Sequence, residues 1–448
     1  MVVLLVIIYS NLSISAVSSQ DADKLGTTLT RFGAEIAGNN DGTIPPYAGG
    51  LTKAPVGYKP GSGIRPDPYT GEKPLFSINA QNMTRYADKL TEGTKAMMKK
   101  FPSFRIDVYK AHRTVAYPEN VLKNTAINAL KATTYNGGLS MKDAHAGIPF
   151  PIPKDGYEIM WNHHTRFMGR ATEGKYEAWI VDSKGRPFPS QFCILLNDYP
   201  YYEEDQKKGS TEDVYWRVTA FFTGPPRRAG EGVILINYLN SYEKPRTAYQ
   251  YLPGQRRVKL CPEFSFDGWN PAGSGVCTYD EAYIYNGSME RYNFKFIGKK
   301  EFYVPYNAYR ATFMAKREEL LGPGHLNPDV VRWELHRMWV VEATLRPGER
   351  HVYARRVFYV DEDSWSALAN ENYDAHGVLY KVNFAHQTQS YDAIAPWAEF
   401  FVNYNFMSDN YYIDAWPGHG VEQGHLKYVA PYPDRDYAPN RLVGKSIR

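Results

Sequence analysis

The sequence predicts an α+β protein that is mainly β and built on one large antiparallel sheet. Helical spacing is confined to the first third of the 448-residue chain, and an alternation of period two takes over from Lys175. The turns between alternating runs are short, which pairs neighbouring strands antiparallel and leaves no strand-helix-strand unit for a dinucleotide fold. The clearest stretch is Arg332 to Gln387, an uninterrupted meander. RWELHRMWVVEATL leads through RPGER to HVYARRVFYV, then through DEDS to WSALANENY and through DAHG to VLYKVNFAHQ. Pro347 fixes φ at the first central position of its turn and Gly348 takes a positive φ at the second. Asp374 to Gly377 closes a hairpin in the same way, with Asp bonding its own turn and Gly in the left-handed conformation. Trp333, Leu335, Trp339 and Val341 fall on one face, and Arg332, Glu334, His336 and Glu342 on the other. Such a sheet either has one buried face or, with this many large aromatics, curls around an apolar ligand.

The elements follow in order. Val2 to Ile8 is a short apolar run, and Ala16-Val17-Ser18 supplies small residues, so residues 1–18 are expected to be a signal peptide cleaved near Ser18. The basic residues that normally precede such a run are missing, which suggests a truncated start. With no Cys near the cleavage site, a lipid-anchored mature form is not expected. Residues 19–74 are poor in apolar residues and dense in Gly and Pro, and are expected to lie extended and peripheral. Asn79 to Lys100 carries helical spacing in two pieces, the second capped by Thr91. Pro118 to Ala132 opens on Pro and is a further helix, and Asp155 caps another over Tyr157 to His164. Strands are expected over 176–182, 191–196, 214–222, 233–239, 248–252, 256–260 and 291–297, ahead of the meander. Asp182-Ser183-Lys184-Gly185 repeats the turn pattern of Asp374 to Gly377. From Trp397 the chain is aromatic but poorly periodic, and residues 433–448 read as a trailing segment.

Composition excludes several functions. The net charge of +4 is small for this length and the basic residues are interleaved with acids, so no nucleic acid partner is expected. The 36 Tyr against 21 Phe and 9 Trp suit a half-wet sheet surface. Of three cysteines, Cys261 and Cys277 flank a loop rich in Gly, Pro and Asn, where export would favour a disulfide. Cys193 lies in an apolar run and reads as a buried thiol. No C-x-x-C occurs, so neither a redox motif nor a structural zinc site is expected. His163-His164 point about 100° apart on a helix and make a poor joint metal site; the face-sharing H-E-x-x-H spacing is absent. His419, Glu422 and His425 form a ligand-like cluster inside a Gly-rich loop. Asp361, Glu362 and Asp363 read as a solvated turn that alternatively binds a cation. There is no nucleophile elbow and no phosphate loop. No catalytic set, metal or cofactor is therefore expected, and the protein is read as a non-enzyme. In Arg256-Arg257 and Arg355-Arg356 one guanidinium of each pair faces inward. Arg257 and Arg356 are then either partners in structural ion pairs or anchors for an anionic headgroup.

GIPFPIPKDG (147–156), AYQYLPGQRRVKL (248–260), GSMERYNFKFIGKKEFYVPYNAYR (287–310) and YVDEDSWSALANENYDAHGVLYKV (359–382) resemble the bacterial family called domain of unknown function 1329. The similarity runs from about Thr43 to Tyr432. That family is distantly similar to the periplasmic lipoprotein-sorting carrier and acceptor proteins (LolA/LolB-like), which are roughly half as long. The resemblance implies a half-barrel with helices covering its concave side, spanning residues 75–432 as one domain that binds a lipid or other hydrophobic compound. It also implies a place in the periplasm, with an envelope transporter or an outer-membrane protein as partner. It brings no catalytic residues and leaves lipoprotein sorting itself in doubt. Trp216, Trp333, Trp339 and Tyr380 are the candidate lining residues of that face. The alternative is a docking protein of an envelope complex whose concavity is filled by its own helices.

Overall fold

The computed structural model describes residues 16–203, 213–418 and 425–445. Residues 1–15, which hold the apolar run of the expected signal peptide, lie outside the described residues. Ahead of the main sheet come α1 (Ser19–Ala22), β1 (Phe76–Ile78), α2 (Glu92–Lys100), β2 (Ile106–Val108) and α3 (Glu119–Lys131). A small ribbon of β3 (Thr133–Tyr135) and β4 (Ser140–Lys142) leads to α4 (Gly156–His164). The helix starts are those the sequence marks: Thr91 accepts from Thr94 N and Asp155 from Glu158 N.

The chain enters the sheet in its middle and travels outward through β5 (Ala171–Val181), β6 (Pro187–Asp198), β7 (Val214–Gly224), β8 (Gly232–Tyr238), β9 (Thr247–Leu252) and β10 (Arg257–Leu260). Residues 261–291, a run of short 3-10 turns, then carry it to the opposite end. It returns through β11 (Tyr292–Pro305), the one-turn α5 (Arg317–Leu320), β12 (Arg332–Leu345), β13 (Arg355–Asp361), β14 (Ala367–Tyr373) and β15 (Leu379–Ala385). A second ribbon, β16 (Thr388–Ser390) with β17 (Ala395–Trp397), precedes β18 (Phe401–Asn405), β19 (Asn410–Trp416), β20 (His425–Tyr428) and α6 (Pro439–Lys445). Among the described residues sixteen strands join one sheet, in the order β1-β2-β12-β13-β14-β15-β18-β19-β5-β6-β7-β8-β9-β10, with β11 on β12 and β20 on β5. Pairing is antiparallel except between β2 and β12. The ends do not pair, so the sheet is a curled, open half-barrel. Bulges at Ala178/Trp179, Phe192/Cys193, Tyr359/Val360 and Ile413/Trp416 supply local bends.

In-register partners share a face. Phe358, Asn370, Asn383, Asn403, Tyr412 and Ile180 therefore form one row across six strands. We call this the inner face, and residues 261–291 lie on it. α4 packs on the same face, where a Cβ at Gly156 would come within 2.7 Å of the Phe294 backbone. α2 packs on the outer face: Gly93 N donates to Glu371 Oε1 at 2.7 Å, and a Cβ at Gly93 would meet Val382 at 2.3 Å.

Covering both faces overturns the expectation of a sheet with one buried face. Glu334 and His336, on the polar side of the β12 alternation, are buried as deeply as Trp333 and Leu335. Their burial is tolerated because Glu334 pairs with Arg332 and with His336. Residues 19–74 run mostly exposed or half-buried over the main body, but a few of them anchor in it. Phe32, Ala34 and Ile44 enter the main core, and Trp365 Nε1 donates to Phe32 O at 2.9 Å. Arg65, 1% exposed, holds Asp392 through Nε at 2.7 Å and Nη2 at 2.9 Å. The segment is a strap, held by a few well-placed anchors. The trailing segment is also packed: Leu442 of α6 is buried against Phe221, Ile234 and Tyr251.

Candidate functional site

The inner face is divided in two by what the crossing segment does to it. Over β13–β18 the segment inserts carboxylates. Asp280 takes Arg356 Nη1 at 2.6 Å and His351 Nε2 at 3.1 Å. Glu281 takes Tyr353 OH at 2.8 Å, with Asn372 and Asn383 Nδ2 at 3.2 and 3.1 Å, and Lys381 Nζ stands 3.6 Å away. Burial alone would raise the Asp280 carboxyl, but the Arg356 and His351 charges outweigh it and hold it well below the usual range. The same balance, struck by Lys381 and Arg356, holds Glu281 down. The side chain of every one of these groups is buried, so this half is a closed ionic latch.

Over β6–β9 the segment stands off and leaves a cavity of about 130 Å³. Its sheet wall is formed by Cys193, Leu195, Trp216, Val218, Val233 and Leu235, and its cover by Phe264, Tyr279 and Tyr283. Leu195, Val233 and Leu235 remain half-buried, whereas most apolar side chains elsewhere on this face are buried outright. The cover meets the sheet side through Tyr283, 6.0 Å edge-on from Trp216, and through the Phe264 carbonyl, which accepts from Arg246 Nη1 at 2.9 Å, while Phe264 and Tyr279 stack on each other at 3.8 Å. Arg246, Arg228 and Asp414 are the ionisable groups of the wall.

A larger cleft of about 320 Å³ lies outside this face, between residues 67–72, Tyr109 and residues 310–332. Several of its charges are paired, Arg332 with Glu72 and Glu334 and Asp329 with Arg105. Met314, Ala315, Val330 and Val331 supply its apolar wall, among charged side chains.

Of the lining residues the sequence selects, only Trp216 reaches the cavity, and its Nε1 donates to Asn197 Oδ1 at 3.1 Å. Trp333 is a core residue packed edge-on against Phe104 and Phe384. Trp339 stacks on Trp365 at 5.8 Å with Lys299 Nζ 4.6 Å from its ring, at the strap end of the sheet. Tyr380 is half-buried beside Tyr353 and Lys381. Arg356 is an ion-pair partner of Asp280, while Arg257 is exposed on the end strand β10. The residues missed, Val233, Leu235, Tyr283 and Arg246, carry no local signal beyond alternation in β8.

The expected Cys261–Cys277 disulfide is not made, and all three cysteines are free. Cys261 packs with Ala248 and Phe264, and Cys277 with Ala178, Val276 and Tyr412, so the two thiols serve separate apolar clusters. Nor is Asp361 to Asp363 a solvated turn. Arg113 clasps Asp363 at 2.6 and 2.9 Å, and Arg337 and Lys299 hold Glu362 at 3.2 and 3.0 Å, so cationic side chains fill the place a metal would take. Burial and the adjacent Asp363 push the Asp361 carboxyl up to about 6. His163 is part of the fold: its Nε2 faces Tyr285 O at 3.0 Å and its Nδ1 accepts from Ala367 N at 3.1 Å. Burial drives His164 down to about 3. His419 and Glu422 lie outside the described residues, as does the side chain of His425. Among the described residues no three His, Cys, Asp or Glu side chains converge as a metal site, and no helix is long and apolar enough to cross a membrane.

Comparison with known proteins places the chain. It is 38% identical over 439 residues to a Pseudomonas aeruginosa protein named Uncharacterized protein PA3922, covering 97% of this chain and 95% of that one. Among solved structures it is similar to a DUF1329 family protein from Desulfovibrio piger, with a TM-score of 0.44 and 14% identity over 64% of this chain and 97% of that one. A LolA superfamily protein from Nitrosomonas europaea aligns with a TM-score of 0.38 and 10% identity, over 64% of this chain and all (100%) of the other. Residues 77–442 match the family described as Protein of unknown function (DUF1329), and the chain belongs to that family.

Proposed function

We propose that the protein is a periplasmic, non-catalytic carrier that holds a lipid or other hydrophobic compound against the inner face of β6–β9. The half-buried wall of Leu195, Val233 and Leu235 carries this reading. Apolar surface left uncovered inside a concave site favours an apolar occupant, by about 25 cal/mol for each Å² removed from water. The cavity of about 130 Å³ is smaller than the roughly 300 Å³ at which ligand sites begin. A whole acyl chain therefore enters when the rings of Tyr279 and Tyr283 swing off β6–β9, while the Asp280 and Glu281 carboxylates between them and the Phe264 carbonyl on Arg246 keep the segment tethered. An envelope transporter or an outer-membrane protein is the partner we assign to loading and unloading.

The filled latch half favours a second reading, a docking protein of an envelope complex with no ligand. The two part on uptake. A fluorescent fatty acid or sterol probe should be taken up by the parent protein and lost by Leu235→Arg with the circular dichroism unchanged. Native mass spectrometry of protein from the periplasm should show a co-purifying lipid. A parent that takes up no apolar probe and carries no lipid leaves the docking reading.

A further inference from the structure

The ionisable groups of the cavity narrow the ligand, on the reading that the cavity holds an apolar compound. Arg246 stands just before β9. Its guanidinium is held by neutral oxygens: Nε donates to Asn237 Oδ1 at 2.7 Å, Nη1 to Phe264 O at 2.9 Å, and Nη2 to Asn286 Oδ1 at 2.7 Å and to the Asn286 carbonyl. None of these partners is a carboxylate. The other guanidinium of the wall, Arg228, is different, since it pairs with Glu231 at 2.8 Å and spends Nη1 on Gln191. The third group, Asp414, accepts from Ala415 N at 2.7 Å and Gln191 Nε2 at 3.2 Å, and burial pushes its carboxyl up, toward the neutral acid. A positive charge thus faces a largely apolar cavity with its hydrogen bonds largely made and no carboxylate bonded to it. A cation in that setting is costly unless an anion joins it. Four of the five guanidinium N–H groups are engaged, which leaves one on Nη1 for an incoming oxygen.

We propose that Arg246 receives the carboxylate of a long-chain acid whose apolar tail lies along Leu195, Val233 and Leu235. A single available N–H suits one carboxylate oxygen better than the several oxygens of a phosphate ester. Asn286 and Phe264 orient the guanidinium toward the headgroup.

The test compares a dansyl-labelled fatty acid with its methyl ester on the full chain at pH 7. The acid should bind about tenfold more tightly than the ester, the scale of one charge-assisted hydrogen bond. Arg246→Gln should erase that preference by weakening the acid alone, Arg246→Lys should retain most of it, and Arg257→Gln on the exposed strand should leave it intact. Should Arg246→Gln fail to fold, the parent preference and its loss as pH falls and the fatty acid becomes protonated, with Arg246→Lys as the folded variant, decide the question. Equal binding of acid and ester by the parent, or a preference that persists in Arg246→Gln, overturns the headgroup assignment and leaves the carrier reading standing. Binding of neither probe overturns both.

Discussion

The two halves of the inner face use the same crossing segment in opposite ways. Over β13–β18 it contributes Asp280 and Glu281, whose carboxylates meet Arg356, Lys381 and three asparagine amides presented by neighbouring strands. Over β6–β9 it contributes rings that touch Trp216 and leave Leu195, Val233 and Leu235 partly open. A buried ion pair is directional and is lost steeply when one partner leaves, whereas ring-on-ring contact is non-directional and separates at modest cost. The segment is therefore fixed at the Asp280 and Glu281 carboxylates and at the bonds from Arg246, and releasable at the Tyr279 and Tyr283 rings. That asymmetry is what a carrier with a tethered cover requires.

The comparison breaks most severely at Glu281. Glu281→Ala leaves Lys381 buried without its counter-charge and strips the asparagine amides of their acceptor, so it should cost about 3–5 kcal/mol in urea unfolding. A loss below about 1 kcal/mol would mean that the latch does not hold the segment.

Packing sharpens the contrast at the next scale. Ala343 of β12 is fully buried at the latch end, and Ala343→Leu should cost about 1–3 kcal/mol by overpacking. Ala220 of β7 lines the cavity, so Ala220→Leu should grow into empty space, change stability by less than about 1 kcal/mol and still abolish uptake of an apolar probe. Equal costs at the two sites would show that the cavity is closed in solution.

The smallest effect is one of sign. Asp280 is held below its unfolded value, so its contribution is complete above about pH 4 and is lost as pH falls toward the folded value. Asp414 is raised, so the folded state retains a proton that the unfolded state has lost, and this penalty grows as pH rises through the window between the two values. Asp414→Asn keeps an oxygen for Ala415 N and Gln191 Nε2. It should stabilise the protein at pH 7 and leave it unchanged at pH 3, measured as the urea midpoint at each pH. A stability gain of the same size at both values would place the effect in packing and not in charge.

Turns and caps were the parts of this chain most legible in advance. Gly348, Gly377 and Gly185 all take positive φ, Asp374 and Asp182 bond their own turns, and Thr91 and Asp155 cap their helices. Each of these depends on a residue and its next four neighbours. Strands β5 to β15 were legible through alternation, apart from their ends. Strands β16 to β20 were not: β16, β17 and β18 are buried on both faces, and FVNYN shows no division into a wet and a dry side. The candidate site was legible in one residue, Trp216. Trp333 and Trp339 alternate just as well, yet one faces Phe104 and the other Trp365.

What the sequence by itself determined is therefore the class of fold and the local devices that build it: a mainly antiparallel sheet, its turns, its helix starts, and the family resemblance carried by its long motifs. Tertiary structure alone decided which faces are covered. It made a strap of residues 19–74, set Cys261 and Cys277 in separate clusters, brought Arg113 onto Asp363 across 250 positions of chain, and left Val233 and Leu235 open beneath Tyr283. The physical reason is range. Dihedral preferences and periodicity act between neighbours in the chain, while burial and charge pairing are set by whichever distant segment the sheet brings alongside.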